Sequence, residues 1–239
     1  MTDRPLIYVP IDTGDLETAR KHASLVIPAG CGIKLGMEFF NANGPQGIAM
    51  LKADFPQASF FIDLKYHDIP NTVAGAVRSI TRLAPDYLNV HASGGTDMMK
   101  TAKDALVDES ARLGIATPKL LAVTVLTSID TATLESVGQG NSAEEQVKRL
   151  ALLTKNAGLD GVVCSPLEVS LVRAACGPDF ITMVPGIRPA DAAVGDQKRV
   201  MTPRDAVAAG VTHMVIGRPI TQAPDPAQAV RDIIASIAA

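Results

Sequence analysis

Three cysteines among 239 residues are too few for a disulfide framework, and Cys31, Cys164 and Cys176 contain no CxxC pair. An odd number without metal-ligand spacing points to buried thiols in a reducing compartment. Positive charge is not in excess either: 22 Lys and Arg face 25 Asp and Glu, a formal charge of −3. That balance lacks the basic footprint of a nucleic-acid binder, so any phosphate to be recognised should sit on a small molecule. No apolar run approaches the ~18 residues of a membrane span, and residues 1–5 carry no apolar leader segment. The expectation is a cytoplasmic protein with no membrane partner. The nucleotide loops GxGxxG and GxxxxGK[ST] do not follow the first apolar run, and no HExxH is present, so no metal is expected. His22 falls inside a predicted helix, where a surface role is the simplest reading.

What the chain does have is alternation. Hydrophobic residues make up 47% of it, enough for a full core. Eight short β-branched or apolar runs, at 6–11, 32–35, 60–64, 87–90, 120–126, 161–164, 181–184 and 214–216, are separated by amphipathic stretches. This is the signature of βα units around a parallel sheet. Eight units in this length predict an α/β fold, a closed (β/α)₈ TIM barrel occupying residues 1–239 as one catalytic domain. A doubly wound open sheet is the alternative, because alternation alone does not show closure. One helix should open at Pro70, Asn71 and Thr72 and bury Val73, Val77, Ile80 and Leu83.

Reactive groups in a parallel barrel come from the C-terminal ends of the strands. Charged and polar residues are frequent there: Asp12, Lys34, Asp63, Lys65, Asn89, His91, Thr127, Arg188 and Arg218. Asp63 and Lys65 are two apart on one strand and should face the same way, into the mouth. With Asp68 and Lys34 they would form an array of two ammoniums and two carboxylates. Such an array could merely tie the barrel together, but four buried charges are costly and barrel interiors are normally apolar. A second site is expected after strands 7 and 8, where Gly217, Arg218 and Arg188 suit a phosphate and the polar stretch from Pro189 to Thr202 suits a lid. His67 and His91 lie near the site, with a supporting hydrogen-bonding role as good a reading as chemistry.

The run Asp63-Leu-Lys65-Tyr-His-Asp68-Ile-Pro-Asn-Thr72 resembles the DxKxxDIPNT signature of the orotidine 5'-phosphate decarboxylases. The resemblance spans the chain, through Asp12, Ile33-Lys34-Leu-Gly36, Asn89-Val-His-Ala92, Val123-Thr-Val-Leu-Thr-Ser128, Pro185-Gly-Ile-Arg188, Asp196-Gln197 and Gly217-Arg-Pro-Ile-Thr221. It implies that Asp12 and Lys34 hold ribose hydroxyls and that Thr127 contacts the pyrimidine. It also implies that Arg188, Gln197, Gly217 and Arg218 bind the phosphate. It further implies a homodimer with shared active sites, in which Asp68 and Thr72 serve the partner's substrate.

The implied reaction is loss of carbon dioxide from C6 of the pyrimidine, which leaves a carbanion with no adjacent group to delocalise it. No motif suggests a cofactor, so Lys65 is expected to attract the developing charge and protonate C6. Flanking carboxylates should keep its amine charged, contrary to the needs of a Schiff-base aldolase. Two other rivals stand beside this reading. A magnesium-dependent relative such as hexulose-phosphate synthase shares DxKxxD, but two positions decide against it: the resemblance implies an acid there where this chain has Lys34, and no Ile-Pro-Asn-Thr run such as Ile69 to Thr72. A non-catalytic barrel would keep only the phosphate site.

Overall fold

The computed structural model describes residues 6–189 and 200–238. Strands and helices alternate throughout: β1 (Ile7–Pro10), α1 (Leu16–Val26), β2 (Gly32–Gly36), α2 (Met37–Asp54), β3 (Phe60–Tyr66), α3 (Pro70–Thr81), β4 (Tyr87–His91), α4 (Gly95–Leu113), β5 (Lys119–Val123), α5 (Thr131–Ser136), α6 (Ala143–Asn156), β6 (Gly161–Val163), α7 (Val169–Cys176), β7 (Ile181–Val184), α8 (Pro203–Ala208), β8 (His213–Val215), α9 (Arg218–Thr221) and α10 (Pro226–Ala238). Each strand pairs in parallel with the next, and β1 pairs with β8, so the sheet closes in sequence order. Closure excludes the open doubly wound sheet, which would leave two edges. The fold is a (β/α)₈ barrel.

The interior fills in layers because side chains alternate along each strand. Tyr8, Phe61, Tyr87, Leu121, Met183 and Val215 form a buried cluster of their own, apart from the larger core between sheet and helices. Tyr8 and Tyr87 meet edge to face at 5.5 Å. Gly32 makes room for them, since a Cβ there would stand 2.5 Å from the Tyr8 ring. The hydroxyls are not stranded: Tyr8 reaches Ser59 at 2.7 Å, and Tyr87 reaches His213 Nε2 at 2.9 Å. This plug closes the lower barrel. Two residues further along their strands, Lys34, Asp63, Asn89 and Val123 share its parity and rise above it toward the C-terminal mouth.

Helix α3 begins at Pro70, whose missing N–H costs nothing at the first helical position, and buries Val73, Val77 and Ile80. Leu83 lies beyond its end, and Thr81 is buried instead, its hydroxyl donating to the Val77 carbonyl at 2.7 Å. Strand β5 stops at Val123, short of the expected Leu126. There the Thr124 N–H and hydroxyl both donate to the Val163 carbonyl, at 3.1 and 3.0 Å, and the chain leaves the ladder. Strand β8 starts one residue earlier than expected, at His213.

Candidate active site

Four side chains at the mouth form one electrostatic chain. Lys65 Nζ lies 2.7 Å from Asp63 Oδ1, Lys34 Nζ lies 3.0 Å from Asp63 Oδ2, and Lys34 Nζ lies 3.7 Å from Asp12 Oδ1. Asp63 is only 5% exposed. Its burial opposes ionisation, yet Lys34 and Lys65, with hydrogen bonds from Lys65 and Asn89, hold its pKa well below the usual carboxylate range. Burial likewise works against the Lys34 charge, but Asp63 and Asp12 outweigh it and raise its pKa above the ordinary lysine value. Each buried charge is therefore kept ionised by its neighbours.

The array forms one wall of a cavity of about 500 Å³, a volume suited to a mononucleotide-sized ligand. The cavity is lined by Asp12, Lys34, Asp63 and Lys65, and by Thr127, Arg188, Gly217 and Arg218. Charges from β2, β3 and the loop after β1 thus share one space with guanidiniums from the loop after β7 and the start of α9. Val123, Val125 and Val163 supply an apolar side between them. Arg188 is buried and donates to the Ile187 carbonyl at 2.8 Å. Its backbone N–H meets the Met201 carbonyl at 3.0 Å, across an isolated parallel bridge between Ile187 and Met201. Gly217 is needed where the end of β8 passes β1, because a Cβ would lie 3.0 Å from Pro10 Cγ.

The second carboxylate of the array differs from the one expected. Asp12 takes that place, at the exposed end beside Lys34. Asp68 is exposed, accepts a 2.6 Å hydrogen bond from the Ile69 N–H, and does not line the cavity. Thr72, on the first turn of α3, is exposed as well and also stands apart from the cavity. β3 ends at Tyr66, so Asp68 lies in the loop before α3 and not on the strand that carries Asp63 and Lys65. Gln197 and most of the segment read as a lid lie outside the described residues.

The model of the Orotidine 5'-phosphate decarboxylase / HUMPS family matches residues 5–233. The chain belongs to this family. Orotidine 5'-phosphate decarboxylases from Moorella thermoacetica and Paramagnetospirillum magneticum are 50% and 51% identical to it over 232 residues. These alignments cover 97% of this chain and 91% and 97% of theirs. The crystal structure of the orotidine 5'-phosphate decarboxylase from Lactobacillus acidophilus superposes with a TM-score of 0.86 at 39% identity, covering 99% of this chain and all of that one. The chain is accordingly an enzyme of the decarboxylase family.

The cavity also holds residues that the sequence did not flag. His22, half-buried on α1, lines it, and Cys164 lines it from just after β6. Nothing in the local pattern of either residue marks this, because a place on the cavity wall is set by tertiary packing. His67 and His91 stack at 5.6 Å and do not line the cavity. Burial, then the neighbouring His67 and Lys65 charges, lowers the His91 pKa. Among the described residues, no group of three or more His, Cys, Asp or Glu could hold a metal ion, and no helix is long and apolar enough to cross a membrane.

Proposed function

We propose that this enzyme converts orotidine 5'-phosphate to uridine 5'-monophosphate and carbon dioxide, without a cofactor, and that one catalytic domain spans the chain. The observation that carries this reading is the joining, in one cavity, of the Asp12–Lys34–Asp63–Lys65 array and the Arg188 and Arg218 guanidiniums. A nucleotide laid across it would present its phosphate to Arg188, Arg218 and Gly217, with Gln197 as a further contact. Its ribose would meet Asp12 and Lys34, and its pyrimidine would meet Thr127. The base would then lie against the apolar side of the cavity, with C6 toward Lys65.

Decarboxylation breaks the bond from C6 to the carboxylate and leaves the electron pair on C6. A proton from Lys65 Nζ then completes the product. The ammonium is already in place when charge develops, so no reorganisation is needed at that moment. Asp63, held between two ammoniums, fixes Lys65 and faces the substrate carboxylate. Binding energy from the distant phosphate helps to assemble this arrangement, so truncating the phosphate contacts should affect kcat as well as KM. The three cysteines are buried, and their odd number without CxxC spacing favours function in a reducing compartment such as the cytoplasm.

The same reading makes the enzyme a homodimer with shared sites. Asp68 and Thr72 are exposed and do not line their own cavity, and Ile69 between them is 67% exposed, an apolar side chain suited to burial against a second copy.

The deciding assay mixes the protein with orotidine 5'-phosphate in excess EDTA and follows pyrimidine absorbance. Turnover is expected to be undiminished by the chelator. Activity that returns only with magnesium would overturn the cofactor-free mechanism, and no turnover under either condition would overturn the decarboxylase assignment. Arg218→Ala is expected to raise KM by about ten- to a hundredfold, the loss of one charge-assisted phosphate contact. An unchanged KM would place the phosphate elsewhere.

A further inference from the structure

Lys65 has a backbone φ of 52°, in the left-handed region that lysine seldom occupies. The cause lies in the pairing of β3 with β4. Ile62 pairs with Leu88 and Tyr66 with Val90, so four steps along β3 correspond to two along β4. Two extra residues are pushed out of the ladder next to Asn89, and the Lys65 N–H loses its place in it. Asn89, 0% exposed, takes over that hydrogen bond with its side chain: Lys65 N donates to Asn89 Oδ1 at 2.8 Å.

The other end of the same carboxamide is also engaged. Asn89 Nδ2 donates to Asp63 Oδ1 at 2.7 Å, the carboxylate oxygen that pairs with Lys65 Nζ. The orientation of the amide is unambiguous, since a backbone N–H can only donate and an ionised carboxylate can only accept. One fully buried side chain thus grips the lysine twice, at its backbone and at the counter-ion of its ammonium. Such a fork requires an acceptor and a donor on one short, planar group. Apolar residues have neither, and an ionised aspartate has no donor.

We propose that Asn89 is a positioning residue that sets the Lys65 ammonium for proton transfer, an inference resting on the reading of Lys65 as the proton donor. Asn89 touches no substrate atom in this arrangement and does not line the cavity. Its effect should therefore fall on the chemical step and leave nucleotide binding intact.

The test measures kcat and KM for orotidine 5'-phosphate, and calorimetric affinity for uridine 5'-monophosphate, in Asn89→Ala and in the isosteric Asn89→Asp. For each, kcat should fall about a hundredfold, the scale of a 1 Å misplacement of a reacting group, with nucleotide affinity within about threefold of wild type. In the Lys65→Ala background, adding Asn89→Ala should lower the residual rate no further. The proposal is overturned by a folded variant with near-wild-type kcat, by equal losses in kcat and nucleotide affinity, by an additional loss in the double variant, or by failure of both variants to fold. Persistence of turnover in Lys65→Ala alone would instead defeat the reading of the lysine, which keeps the two failures distinct.

Discussion

Lys65→Ala is expected to lower kcat by on the order of a thousandfold or more, because under the proposed mechanism the substitution removes both the charge facing C6 and the proton delivered there. Affinity for uridine 5'-monophosphate should survive, since Arg188, Arg218, Asp12 and Lys34 line the cavity independently of it. An interaction made only in the transition state lowers kcat and kcat/KM together. A complication is that Asp63 loses one of its two ammonium partners, which leaves Lys34 at 3.0 Å as the remaining one. The pairing is enough to keep the site assembled, so thermal melting and product binding should report a folded protein. Retention of a tenth of wild-type kcat would remove Lys65 from the mechanism.

The barrel was legible because parallel strands covered on both faces must read as unbroken apolar runs, and eight such runs with amphipathic intervals leave few alternatives. What periodicity could not give was closure, which depends on the pairing of β1 with β8. Strand ends were misplaced where a polar side chain competes with the ladder, as Thr124 does at the end of β5. Within the site, charges at strand ends were readable because burying them is costly without a partner. Their grouping was only partly so. Alternation put Asp63 and Lys65 on one side, as the structure does, but the backbone between Ile62 and Tyr66 is not regular strand. The agreement therefore owes as much to Asn89 as to the pleat.

Asp68 was expected in its own chain's array because it opens the loop after β3, close in sequence to Asp63 and Lys65. That loop leaves it exposed and outside the cavity lining, and Asp12 fills the second acidic place. His22 shows the converse limit: its place on the cavity wall follows from how α1 packs, and no local pattern encodes that. Residues positioned by strand parity could be found from the local pattern, and a residue positioned by helix packing could not.

The outward placement of Asp68 leads to a prediction about the dimer. If Asp68 serves the partner's site, Lys65→Ala and Asp68→Asn, each inactive alone, should complement one another after subunit exchange. In a two-fold dimer built from one chain of each kind, one site receives both defects, while the other combines an intact Lys65 with an intact Asp68. Random mixing of equal amounts makes half of the dimers mixed, and half of their sites are whole, so activity should approach about a quarter of wild type. If Asp68 instead acted within its own chain, every site of a mixed dimer would carry one defect, and activity would stay at the average of the two parents. Exchange must be verified independently, for example by pulling down one tagged variant with the other. Verified exchange without recovery would refute the shared site and place Asp68 in the same chain's site as Asp12, Lys34, Asp63 and Lys65.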